Sequence, residues 1–165
     1  IAAFDVGGRK RITQLVAKSN QFNLTTKRYS EADVALIESD ARRIALQIRL
    51  RDKFGDNGMI SVLIADRSDT SLDIDTWLMS CRVLGRGVPE AVLDWLVLEA
   101  RRSGKKLIRG TFVPTNKNMM VAEHYKDLGF DLVDRKADGT THWQLSVETY
   151  SYKRPPIRIR DFVGG

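Results

Sequence analysis

The stretch Cys81-Arg82-Val83-Leu84-Gly85-Arg86-Gly87-Val88 combines the ingredients of an anion site. Two glycines one residue apart let main-chain amides approach a ligand without a Cβ in the way. The stretch lies between an extended run, Leu72 to Ser80, and a helical run, Pro89 to Arg102. A helix start leaves N–H donors free and carries the positive end of the helix dipole. Such donors suit a phosphate or a diphosphate, and Arg82 and Arg86 add positive charge. The alternative is a glycine-bearing strand-to-helix turn whose arginines serve solubility.

The strand leading into this loop carries a second candidate. Alternation puts Asp73, Asp75, Trp77, Met79 and Cys81 on one face unless a bulge intervenes. A carboxylate beside Trp77 has reason for a raised pKa, which makes Asp75 a candidate general base; a solvated or salt-bridged aspartate is the plainer alternative. Cys81 has no sequence neighbour that activates a thiol, and reads as a strand cysteine. As the only cysteine it forms no internal disulfide, in keeping with a reducing, cytoplasmic setting. One cysteine with His124 and His142 argues against a structural zinc site.

These residues need elements to position them. Residues 9–20 read as a helix through Ile12, Leu15 and Val16, and Phe22 to Thr26 alternates like a strand. Ser30-Glu31-Ala32-Asp33 has the form of a capped helix start, with Val34, Ile37 and Leu36 toward the core. Arg43 to Leu50, Met59 to Ala65 and Leu72 to Cys81 follow as three strands. The links Asp56-Asn57-Gly58 and Arg67-Ser68-Asp69 make an antiparallel meander the simplest arrangement. Pro89 to Arg102 carries a wide apolar stripe closed by Gly104. Leu107 to Val113 reads as a strand and Asn116 to Leu128 as a helix closed by Gly129. Phe130 to Asp134 and Thr141 to Val147 are a final strand pair turned at Asp138-Gly139. The tail from Ser151 is expected to be an edge strand or a disordered end. This order supports a mixed α/β class.

The chain has 165 residues, one domain's length, with 42% hydrophobic and 29% charged residues. No apolar run approaches the ~18 residues of a membrane span. The net charge of +6 is dispersed and not interleaved with aromatics, so neither a membrane nor a nucleic acid is expected as partner. The sequence opens with Ile rather than Met, which suggests an excised fragment.

Arg82-x-x-Gly85-x-Gly87 resembles the acyl-CoA signature of GNAT N-acyltransferases. Asn118, Val121, Tyr125, Gly129 and Phe130 resemble the second signature of that superfamily, with Val121 where alanine is commoner. The resemblance covers about residues 22–150. It implies a mixed sheet of about seven strands whose fourth and fifth strands splay apart, with acetyl-CoA or another acyl-CoA in the gap. The backbone of Met79 and Cys81 would then pair with pantetheine, and Arg82, Val83, Leu84, Gly85, Arg86, Gly87 and Val88 would hold the pyrophosphate. Tyr125 takes the position of the general acid that protonates the departing thiolate, or is a half-buried aromatic. Asn118 would bind a water or backbone near the CoA arm, or cap a helix. Met79 is equally readable as core filling.

A narrower resemblance lies in Asn20-Gln21-Phe22-Asn23-Leu24-Thr25-Thr26, in Asp75 to Arg86 and in Pro114-Thr115-x-x-Asn118. These are similar to the C-terminal part of FkbH-like proteins, in which a HAD-type domain precedes a GNAT-like one. That implies residues 1–21 as a linker from a missing upstream domain, 22–150 as the GNAT-like domain and 151–165 as a tail. It also implies an acyl carrier protein as possible partner, its phosphopantetheine as alternative ligand, and a place in polyketide-type biosynthesis. Asp73-Ile74-Asp75-Thr76 mimics the HAD nucleophile pattern, but no long apolar strand precedes it. Two functions are therefore expected: an acyltransferase, or a module that docks a carrier protein or CoA without transfer chemistry of its own.

Overall fold

The computed structural model describes residues 1–163, so the last two residues of the expected tail lie outside the described residues. Seven strands form one mixed sheet in the order β1-β2-β3-β4-β5-β7-β6. The strands are β1 (Ala2–Ala3), β2 (Arg43–Asp52), β3 (Gly55–Arg67), β4 (Ser71–Met79), β5 (Leu107–Phe112), β6 (Asp131–Arg135) and β7 (Thr141–Ser146). All neighbours are antiparallel except β4 and β5. Parallel neighbours need a crossover, and α3 (Val88–Arg102) supplies it.

The helices divide between the two faces because their apolar stripes demand it. Ile12, Leu15 and Val16 of α1 (Arg9–Lys18) and Val34 and Ile37 of α2 (Glu31–Ser39) bury with Val62, Ile64 and Leu78. On the other face α3 and Tyr125 bury with Leu63, Leu72, Ile74, Trp77, Met79 and Ile108. The start of α2 is a capping box: Ser30 Oγ accepts from the Asp33 amide at 3.2 Å, and Asp33 Oδ2 accepts from the Ser30 amide at 2.8 Å. Leu36, expected toward the core, is exposed.

Several expectations are corrected. The β2–β3 hairpin turns at Lys53–Phe54, and Asp56-Asn57-Gly58 lies within β3, where irregular register absorbs its turn chemistry. The expected helix over Asn116 to Leu128 is broken into a 3-10 turn, Met119–Val121, and a single α-helical turn, α4 (His124–Asp127). Within residues 1–21, β1 pairs with β2 and the helix α1 packs on β3. The described part of the tail, through Val163, is neither an edge strand nor loose. Asp94 of α3 accepts from the Tyr150 hydroxyl at 2.7 Å and from the Lys153 and Arg154 amides at 2.9 Å. Trp95 Nε1 donates to Asp161 at 2.7 Å. No helix among the described residues is long and apolar enough to cross a membrane.

Candidate functional site

The fork expected between β4 and β5 is present. The two strands pair only over Ser71–Leu107, Leu72–Ile108 and Asp73–Arg109, and then diverge. The wedge, however, holds a segment of the chain itself. The Leu24 amide donates to the Trp77 carbonyl at 3.2 Å, and the Met79 amide donates to the Phe22 carbonyl at 3.1 Å. On the β5 side, the Val113 amide donates to the Leu24 carbonyl at 2.8 Å. Phe22, Asn23 and Leu24 are buried. The alternating run read as a strand is thus a single bridge, Asn23–Leu78, set in the fork.

This arrangement corrects the assignment of Met79. Its amide is not free for pantetheine, and its side chain fills the core at 1% exposure. Cys81 lies beyond the end of β4 in a 3-10 turn, Cys81–Val83, with its side chain exposed and its carbonyl accepting from Leu84. Asn118 does bind backbone, but that of the wedge segment. Its Nδ2 donates to the Asn23 carbonyl at 3.0 Å and the Val113 carbonyl at 2.9 Å, while its Oδ1 accepts from the Thr115 amide at 2.7 Å.

Asp75 is the extra residue of a β-bulge. Ile64 pairs with Thr76 and Ala65 with Ile74, so Asp75 has no partner on β3. The bulge reverses the alternation, so that Ile74, Trp77 and Met79 share a core face. Asp75 instead accepts from Lys27, from the Tyr29 hydroxyl and from the Thr76 hydroxyl. Burial by itself would raise its carboxyl; these donors outweigh burial and hold it below the usual range. Tyr29, half-buried against the same carboxylate, is pushed up to about 12. An aspartate so paired is ionised and already engaged by three donors.

Tyr125 lies in the core at 1% exposure, against Phe130 and Trp143. An added Cβ on Gly110 would sit 2.2 Å from its ring, so β5 needs a glycine there. Burial pushes its phenol far up, opposed only by the Thr111 amide, and its hydroxyl closes no hydrogen bond among the described residues. It is therefore protonated, as an acid must be, but sealed.

The glycine loop keeps part of its expected form. Gly85 and Gly87 both have positive φ, 73° and 74°. The amides of Gly85, Arg86 and Gly87 find no partner among the described residues, whereas Val83 and Leu84 spend theirs on the 3-10 turn. Val88 opens α3 with a buried side chain. Space beside Gly85 is open, but an added Cβ on Gly87 would lie 2.7 Å from Pro155 Cβ, so the tail covers that side of the loop. Arg86 is drawn away to Asp52, at 2.5 Å, and Arg82 Nε donates weakly to Ser80 Oγ at 3.3 Å.

A cleft of about 680 Å³ opens at the mouth of the fork. Met79, Ser80 and Cys81 form one wall, Phe22 another, and Arg11, Lys18 and Lys117 supply its charge. These basic residues, on α1 and before α4, were missed as site residues; only the fold brings them beside Cys81. A second, polar groove of about 390 Å³ includes Asp73, Arg109, Thr111 and His142. There Thr111 Oγ1 and His142 Nδ1 are 3.1 Å apart.

No protein-family model matches the sequence, and no curated protein matches it. Solved structures do match its fold. The GNAT domain of S. lividans PAT superposes with a TM-score of 0.66 at 18% identity, over 87% of each chain. The ribosomal-protein-S18-alanine N-acetyltransferase from Escherichia coli gives 0.64 at 14%, over 92% of this chain and 96% of that one. Spermidine N-acetyltransferase from Vibrio cholerae, solved in complex with CoA and spermine, gives 0.65 at 10%, over 88% and 94%. The chain therefore has the GNAT fold. At such identities the likeness is one of fold.

Proposed function

We propose that this is an acyltransferase-type domain that takes an acyl thioester, of CoA or of a carrier protein's phosphopantetheine, in the cleft at the mouth of the fork. The observation that carries the reading is the cleft at the mouth of the filled fork, lined by Cys81 and by Arg11, Lys18 and Lys117, with a glycine loop of unpaired amides following Cys81 in the chain. Free amides at a helix start together with cationic side chains suit the phosphate or diphosphate of either ligand. Because Phe22 holds the edge of β4, the arm lies along the cleft rather than pairing with Met79.

Transfer would proceed by attack of a nucleophile on the thioester carbonyl carbon. The carbon–sulfur bond breaks, the thiol leaves with a proton from Tyr125, and the proton lost by the nucleophile passes through solvent to restore the Tyr125 phenol. The second reading is a docking module without transfer. It is favoured by the engaged Asp75 and the sealed Tyr125. The FkbH-like resemblance supports a carrier protein as the source of the arm, an upstream HAD-type domain as partner, and a cytoplasmic, polyketide-type pathway.

Calorimetry with acetyl-CoA and with acetylated carrier protein, followed by a thiol-release assay, tests both readings. Binding with release that is lost in Tyr125→Phe is the expected result. Carrier binding without release would establish the docking module. Arg11→Glu and Lys18→Glu, both exposed, should weaken binding severalfold and leave the melting temperature unchanged. Wild-type protein that binds neither ligand would refute both readings.

A further inference from the structure

Three buried polar atoms around the fork have no hydrogen-bond partner: Trp77 Nε1, His124 Nε2 and Tyr125 Oη. The rings of Trp77 and His124 lie 4.8 Å apart between centroids, and those of His124 and Tyr125 5.7 Å apart. Each unpaired buried polar group costs about 1–3 kcal/mol. Three of them together call for a ligand or a role. The remaining indoles are satisfied: Trp95 donates to Asp161 and Trp143 to Thr141.

The fourth neighbour is Phe22, whose ring meets His124 edge-on at 4.9 Å. Phe22 also lines the basic cleft. One apolar ring therefore separates an open cleft from a buried polar cluster. The Phe22 carbonyl is anchored to Met79, but a ring rotation leaves that bond in place.

We propose that Trp77 Nε1–H and His124 Nε2–H form a subsite for the carbonyl oxygen of the acyl thioester, reached from the cleft when the Phe22 ring turns aside. The proposal rests on the thioester reading above. An indole N–H only donates, and a neutral imidazole donates from Nε2 in one tautomer. Burial among aromatic rings lowers the His124 pKa to about 4, so the ring is neutral near pH 7. Two donors and no carboxylate fit an oxygen acceptor, and a carbonyl oxygen gains charge as the thioester is attacked.

The test compares acetyl-CoA with CoA on the full chain. Both carry the diphosphate and pantetheine, and only acetyl-CoA carries the carbonyl. The expected result is about tenfold tighter binding of acetyl-CoA, the equivalent of one well-made hydrogen bond. Trp77→Phe and His124→Phe should each erase most of that preference while leaving CoA affinity unchanged. In wild-type protein the indole N–H signal of Trp77 should move with acetyl-CoA and not with CoA; this spectrum decides the matter if a variant fails to fold. The same pair on carrier-bound phosphopantetheine identifies the source of the arm. If CoA or carrier binds but neither the preference nor the indole signal depends on the carbonyl, the subsite is overturned and the thioester reading stands. If neither ligand binds, the thioester reading fails, and the subsite with it.

Discussion

At Gly110 and His124 the site is governed by what a side chain must tolerate. Gly110→Ala drives a methyl into the Tyr125 ring. Overpacking of this kind costs roughly 1–3 kcal/mol, and the direct contact places the variant at the upper end, measurable by chemical denaturation. His124 has a folded pKa of about 4, lowered by burial, against about 6.5 in an unfolded chain. Between those values the unfolded state binds the extra proton, so stability falls as pH drops from about 6.5 toward 4. At 1.36 kcal/mol per unit the loss is about 3 kcal/mol over that window. His124→Phe should flatten that part of the profile; a wild-type curve already flat there would show that His124 is not held neutral. Asp75 acts in a different range. Its pKa is depressed, so its contribution is complete above about pH 4 and is lost only in stronger acid.

The decisive element is the segment Phe22–Leu24, and the side chain that fixes it is Asn118. Asn118→Ala removes donors to two carbonyls, Asn23 and Val113, and the acceptor of the Thr115 amide, all in a closed setting. The expected cost is about 3 kcal/mol, with faster amide exchange at Leu24 and Val113. A variant as stable as wild type would show that the segment is held by its apolar side chains alone. Elements set by local chemistry were legible in the sequence: the capping box at Ser30, the stripe of α3 and the glycine loop. The position of Phe22–Leu24 was not. Alternation marks a strand but does not name its neighbour, and a segment that joins two diverging strands looks like any short strand. The bulge at Asp75 was equally hidden, because one extra residue leaves the composition of β4 unchanged while turning the carboxylate toward Lys27 and Tyr29. The break in the expected helix after Asn116 arises because Asn118 turns inward to the wedge.

Across the whole molecule, the two ends close around the sheet. The Ile1 amino group donates to the Arg160 carbonyl at 2.7 Å, the Phe162 amide donates to the Ile1 carbonyl at 2.9 Å, and the tail crosses α3 to reach Gly87. Asp94→Ala should cost about 2 kcal/mol and speed tryptic cleavage after Lys153, Arg158 and Arg160; unchanged cleavage would mean that Asp94 does not hold the tail. The GNAT architecture is thus kept while its fork is filled from within, and the proposed function therefore puts the ligand at the mouth. Hydrogen exchange at the Leu24, Met79 and Val113 amides, with and without saturating CoA, tests this most directly. The account predicts that all three stay protected in both states, with slowed exchange confined to the loop from Gly85 to Val88. Loss of protection at Met79 and Leu24 on binding would show the ligand taking the edge of β4 and would contradict it.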